Sequence, residues 1–265
     1  MKSKIYTTYT IYINYVNKKI AFLEKYVRII METEKKRGVF VKKDKKILLF
    51  SDLEGTILRE SDGKYDKEDM YNFLEQIDRL QQLTGTKVNI HLVSPIYKEQ
   101  MEEIIDMIDR DIVKYNIAHP DHDRIPRIEC GTFSPDQRMC EEEYSGDRVM
   151  PLKMPIDSRQ FDTSIFGKAD HVRKWCDMYK EREELLMSIY CGNGRNDLSA
   201  MDFIKKNKGF VVCPDNSRKI AKEQADFVSD KTDLSGIAEG IANINKEIDK
   251  RVSQQAKEEP EEQEQ

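Results

Sequence analysis

The sequence predicts an α/β domain: a parallel β-sheet covered by helices on both faces. Three observations predict it. Short apolar runs closed by turn-forming residues recur through the middle of the chain. Stretches with apolar residues at helical spacing separate those runs. The 265 residues suffice for one such domain with a small insertion or flanking arms. Strand alternating with helix in this way is the pattern of βαβ units.

Taken in order, residues 1–44 read as an N-terminal arm, partly helical. Alternating Tyr, Thr and Ile give way to Ile20, Leu23, Tyr26, Val27 and Ile30, one apolar stripe at helix spacing. The stripe suits a helix packed on the domain or a surface for a protein partner. The leading residues lack an unbroken apolar core and a small-residue cleavage site, so they are not read as a signal peptide, and Met31 is an alternative start. Ile47 to Phe50 reads as a buried strand, 66–83 as a helix with Met70, Phe73, Leu74, Ile77 and Leu80 on one face, and Val88 to Val93 as a second strand. A helix follows at 97–109. Residues 110–160 show no clear period and are read as a reduced cap or loop insertion. Helices at 169–182, 197–206, 217–224 and 233–256 then alternate with strands at 185–191, 209–213 and 225–228. The core therefore spans 45–250, and the acidic tail at 251–265 is expected to be disordered.

Composition excludes several classes. The net charge of −5 gives no reason to expect nucleic acid as the ligand. No run of 18 apolar residues occurs, so no membrane span is predicted. The five cysteines are scattered, odd in number and form no CxxC pair, which argues against a disulfide framework and for a reducing cytoplasm.

Ligands of open α/β sheets sit at the carboxyl ends of the strands. The first strand is followed there by Ser51-Asp52-Leu53-Glu54-Gly55-Thr56, the second by Ser94-Pro95, and the strand ending at Cys191 by Gly192-Asn193-Gly194-Arg195-Asn196-Asp197; Lys168 opens the helix between them. Such a set suits phosphoryl transfer. One carboxylate can attack phosphorus, and a second can protonate the leaving oxygen and then activate water. An ammonium and a hydroxyl can hold the phosphate oxygens, and magnesium, which prefers oxygen ligands, can offset the repulsion between nucleophile and dianion.

The quoted segments LLFSDLEGT, HLVSP, FGKADHVRKW and YCGNGRNDLSAM resemble, in order and spacing, the four motifs of the haloacid dehalogenase superfamily. The resemblance covers about residues 45–245 and implies a Rossmann-like core. It implies that Asp52 is the nucleophile and a magnesium ligand, and that Glu54 is the general acid/base, with its main-chain carbonyl on the metal. Thr56 would stabilise the loop after the nucleophile. Ser94 and Lys168 would bind the phosphoryl group, Asn196 would orient Lys168 or its loop, and Asp197 would reach the metal through water. Two positions depart from the pattern. Glu54 stands where most members have Asp, as in the enolase-phosphatases. Asn193 stands where an acid is usual, so its amide oxygen would bind magnesium without a negative charge.

The implied function is a magnesium-dependent phosphomonoester hydrolase acting through an aspartyl-phosphate on a small phosphorylated metabolite. The alternatives are a weakly active or non-catalytic phosphate-binding scaffold, which Asn193 would suit, and a phosphotransferase using the same site. Arg124, Arg127, Arg138, Arg148 and Arg159 in the insertion are candidate contacts to an anionic substrate. His119, His122, Cys130 and Cys140 fit no common zinc spacing. No P-loop is present, and Gly192-Asn193-Gly194 lacks the third glycine of a dinucleotide fingerprint.

Overall fold

The computed structural model describes residues 45–133, 148–152 and 167–258. The N-terminal arm, Arg138, Cys140 and Arg159 lie outside them. At the centre of the described core is β1 (Lys46–Ser51), whose residues Ile47 to Phe50 are wholly buried. Only a strand covered on both faces can carry an unbroken apolar run, and β1 is such a strand. Ile47 and Leu49 point into one core layer, Leu48 and Phe50 into the other.

Around β1 the sheet runs β4-β3-β2-β1-β5-β6-β7, with every pairing parallel. The other strands are β2 (Lys87–Leu92), β3 (Cys130–Phe133), β4 (Val149–Pro151), β5 (Leu185–Cys191), β6 (Phe210–Cys213) and β7 (Phe227–Val228). Helices α1 (Lys67–Thr84), α2 (Lys98–Ala118) and α6 (Asp233–Glu258) supply the first core layer; α3 (Lys168–Glu181) and α4 (Leu198–Lys206) supply the second. A single turn, α5 (Lys219–Lys222), precedes β7. The chain moves outward from β1 to β2, β3 and β4, then crosses back to β5 on the other side. The switch point between β1 and β5 is where such a sheet opens a crevice.

Two boundaries differ from the sequence reading. Residues 110–160 are not one irregular insertion. Helix α2 runs on to Ala118 because Ile108, Ile112 and Tyr115 extend its buried stripe past the charged pair Arg110-Asp111. Beyond it, β3 and β4 are strands of the sheet itself. Each is too short to show a period, and Pro151 ends β4 at the sheet edge, where a missing N–H is tolerated. What remains for an insertion, 134–147 and 153–166, lies outside the described residues. At the other end, α6 matches the helix read over 233–256 and ends at Glu258, so it takes in the first residues of the segment 251–265 read as a tail. Among the described residues no helix is long and apolar enough to cross a membrane.

Candidate active site

Asp52 follows β1 directly at the switch point. Its N–H donates to the Cys191 carbonyl at 2.9 Å, while the Val93 N–H donates to the Ser51 carbonyl at 2.7 Å. The main chain at Asp52 is thus fixed between β2 and β5. The next residues coil tightly. The Leu53 carbonyl accepts the N–H groups of Thr56, Ile57 and Leu58, and the Gly55 N–H donates to Leu58. Leu53, Ile57 and Leu58 are buried by this turn. Between Ile47 and Leu58, Glu54 is the single exposed residue. The turn therefore buries one carboxylate, Asp52, and presents the other to solvent.

Gly55 has φ +66°, and a Cβ there would lie 2.1 Å from Asn193 Nδ2. Both facts require glycine. They also place the amide of Asn193 against the loop that follows the nucleophile. Asn216 Nδ2 donates to the Gly55 carbonyl at 2.9 Å and to Asp233 Oδ1, which ties that loop to the start of α6.

Lys168, the first residue of α3, is buried, and its Nζ stands 2.8 Å from both Asp52 Oδ1 and Asp197 Oδ1. Asp197 is wholly buried and fully engaged. Its Oδ1 accepts from Lys168 Nζ and from the Tyr190 hydroxyl at 2.7 Å; its Oδ2 accepts the N–H groups of Asn193 at 3.1 Å and Gly194 at 2.8 Å. A carboxylate offers about four acceptor sites, and all are taken. Asp197 therefore supports Lys168 and the Asn193-Gly194 turn. The side chain of Asn196 lies beside Gly194 of the same loop, and the bond to Lys168 Nζ comes from Asp197.

Ser94 is buried, and its hydroxyl has no hydrogen-bond partner among the described residues. Its main chain is clamped by Thr132 of β3, whose Oγ1 accepts from the Ser94 N–H at 2.9 Å and donates to the Ser94 carbonyl at 3.1 Å. Thr56, expected to stabilise this loop, is buried, and its hydroxyl too has no hydrogen-bond partner among the described residues. Buried polar atoms without partners are uncommon, and two of them flank the Asp52 loop.

The electrostatics favour a cation. Asp52 and Asp197 are buried with one ammonium between them, which leaves one negative charge uncompensated when both ionise. Burial first, then the Asp197 carboxylate, push Asp52 up to about 7, against the opposing pull of Lys168. Lys168 is held above its ordinary value by the two carboxylates in spite of its burial. A divalent ion with oxygen ligands would neutralise this excess. The Asp52 carboxylate and the Asn193 amide oxygen are donors of the right hardness.

The three described arginines of the insertion reading do not gather here. Arg148 is committed to Asp109 at 2.8 Å and to the Ile128 carbonyl. Arg124 and Arg127 precede β3, at the amino end of the sheet, away from the site. His119 and His122 are also remote from Cys130 in their bonding: His119 pairs with the Tyr115 carbonyl and the Tyr71 hydroxyl, His122 with Asp78.

No protein-family model and no curated protein matches the sequence. Solved structures similar to the chain include the 3-deoxy-D-manno-octulosonate 8-phosphate phosphatase of Moraxella catarrhalis in complex with magnesium, phosphate and KDO, at 16% identity over 80% of this chain and 94% of that one, with a TM-score of 0.39. The phosphatase of the same name from Yersinia pestis is 11% identical over 78% of this chain and 83% of that one, TM-score 0.40. The cobalt-bound deoxy-D-mannose-octulosonate 8-phosphate phosphatase of Haemophilus influenzae is 13% identical over 79% and 86%, TM-score 0.38.

Proposed function

We propose that the chain is a phosphomonoester hydrolase of the haloacid dehalogenase type, with Asp52 as the nucleophile. The observation that carries this reading is the buried Asp52 carboxylate, held 2.8 Å from the Lys168 ammonium at the switch point of a parallel sheet. The unpartnered Ser94 hydroxyl nearby supports it.

The chemistry follows from the placement. Lys168 and Ser94 hold the non-bridging oxygens of a phosphoryl group over Asp52. An Asp52 oxygen forms a bond to phosphorus as the bond to the leaving oxygen breaks, and Glu54 gives that oxygen a proton. Glu54, now a carboxylate and exposed at the mouth, takes a proton from water. The water oxygen attacks phosphorus and frees Asp52 and inorganic phosphate. Asp197 positions Lys168 and does not touch the substrate. Magnesium, held by Asp52, the Glu54 main-chain carbonyl and Asn193, would supply the positive charge that lets an anionic nucleophile meet a phosphate dianion. With the neutral Asn193 in that set, magnesium binding is expected to be weak. The substrate class in this reading is a small phosphorylated metabolite.

The test is hydrolysis of an aryl phosphate with magnesium and with a chelator, wild type beside Asp52→Asn. Turnover that needs magnesium and falls by on the order of 10⁴ or more in the variant supports the reading. Turnover that survives Asp52→Asn refutes it. If the wild type hydrolyses no phosphomonoester and beryllium fluoride with magnesium fails to raise its melting temperature, the hydrolase reading is refuted.

A further inference from the structure

A second cluster lies on the α3 side of the sheet and takes no part in the chemistry above. His91 of β2, Cys130 of β3 and His171 of α3 are all buried, and one ring nitrogen of each histidine and the cysteine sulfur lie within 4.8 Å of one another. Strand pairing sets two of them side by side, since His91 and Cys130 are register partners. His171 comes from the first turn of α3, and its ring centroid is 5.8 Å from that of His91.

Hydrogen bonding leaves a ring nitrogen of each histidine unclaimed among the described residues. Burial pushes the Cys130 thiol up to about 12, so it must lose its proton to serve as a ligand. His91 Nε2 is 3.0 Å from Glu129 Oε2. Glu129 also accepts from the Tyr179 hydroxyl at 2.7 Å and from Asn89, so it is held as a carboxylate and can only accept from His91. That fixes the proton on Nε2 and leaves Nδ1 bare. Among the described residues His91 Nδ1 has no partner, and neither has His171 Nε2. Burial holds both imidazoles below their ordinary range, hence neutral. Cys130 Sγ has only a long contact, 3.6 Å, to the adjacent Gly131 carbonyl. The indole N–H of Trp175, whose ring is 4.6 Å from that of His91, is unpartnered as well.

We infer that His91, Cys130 and His171 form a binding site for a thiophilic metal ion of the zinc class. Two imidazoles and a thiolate are a donor set that suits zinc and its cobalt surrogate and not magnesium. The carboxylate behind His91 is the outer-shell partner that metal-bound histidines commonly have. Tetrahedral coordination needs nitrogen and sulfur about 3.5 Å apart, so the side chains close by about an ångström on binding. Cys130 releases its proton to solvent as it becomes a thiolate. A water, with Trp175 as a donor to it, completes the fourth position.

The site has a structural consequence. Each ligand lies two or three residues along the chain from a residue at the phosphoryl pocket. His91 lies three residues before Ser94, Cys130 two before Thr132 and His171 three after Lys168. An ion here ties β2, β3 and α3 together beneath the groups that hold phosphate.

The test uses the full chain stripped of metal and titrated with cobalt in excess magnesium. One equivalent is expected to bind with a sulfur-to-cobalt charge-transfer band in the near ultraviolet, and zinc is expected to raise the melting temperature. Cys130→Ser should abolish the band, while Cys176→Ser and Asp52→Asn should keep it. Glu129→Gln should weaken binding by about 10- to 100-fold. Should Cys130→Ser fail to fold, His171→Gln asks the same question, with an altered band and affinity lowered by more than about tenfold expected. A wild type that shows no such band, or a band unchanged in folded Cys130→Ser or in His171→Gln, overturns the inference.

Discussion

Replacing Asp197 by asparagine exchanges one heavy atom and breaks the most heavily bonded group in the site. The carboxylate accepts four hydrogen bonds, two on each oxygen. An amide keeps one oxygen and turns the other into a donor. If the amide nitrogen faces Asn193 and Gly194, two main-chain N–H groups lose their acceptor. If it faces Lys168 and Tyr190, the tyrosine hydroxyl can rotate and accept, but the ammonium cannot. One or two buried donors are left unsatisfied, one of them charged in the second case. At about 1–3 kcal/mol for each, and more for a charge, the expected loss is about 2–6 kcal/mol. With a urea dependence of about 2 kcal/mol per molar, the unfolding midpoint of the metal-free protein should fall by roughly 1–3 M, with little change in slope. Activity should fall as well, because Lys168 loses the group that aims it. A midpoint within about 0.3 M of wild type, at unchanged slope, would refute this account of Asp197.

Other consequences can be checked in the same way. Gly55→Ala forces a Cβ into a left-handed turn and against Asn193, so stability should fall by about 1–2 kcal/mol or more in thermal or urea melts, with a loss of turnover. Glu54→Gln should slow hydrolysis of alkyl phosphates by about 10²–10⁴-fold and of aryl phosphates by less, since a good leaving group needs little proton donation; equal losses would contradict its role as acid. Asp52 has its folded-state value raised from 3.8 to about 7, so between these values the native state binds more protons than the unfolded chain. The Asp52 contribution is therefore favourable at low pH and lost as pH rises through about 7. Urea melts in chelator should show it, and Asp52→Asn should flatten that slope.

Most of the sheet was legible because its central strands are buried on both faces and read as unbroken apolar runs. Ile47 to Phe50 and the end of β5 are wholly buried, and the helical stripe of α1 matches its buried face. The region after residue 109 was not legible. Its helix carries a charged pair across the stripe, and β3 and β4 are three or four residues long, below the length at which alternation shows. The residues placed at the site by their positions after strands, Asp52, Ser94, Lys168, Asn193 and Asp197, do lie at one edge of the sheet. Their supports were hidden. Thr132 clamps Ser94 from 38 positions away, and Asn216 reaches Gly55 across 161. Tyr190 reads as one more apolar residue of β5; the signal was that a buried phenol needs an acceptor, and a buried carboxylate follows seven residues later.

The central claim is that Asp52 carries the phosphoryl group. It is tested most directly by stopping turnover of an aryl phosphate with acid in the presence of magnesium and mapping the chain by mass spectrometry. The account predicts one phosphoryl group on the peptide that contains Asp52, and none in Asp52→Asn. Turnover that leaves no phosphoryl group on Asp52 at any time, with phosphate appearing at the full rate from the first cycle, would contradict it.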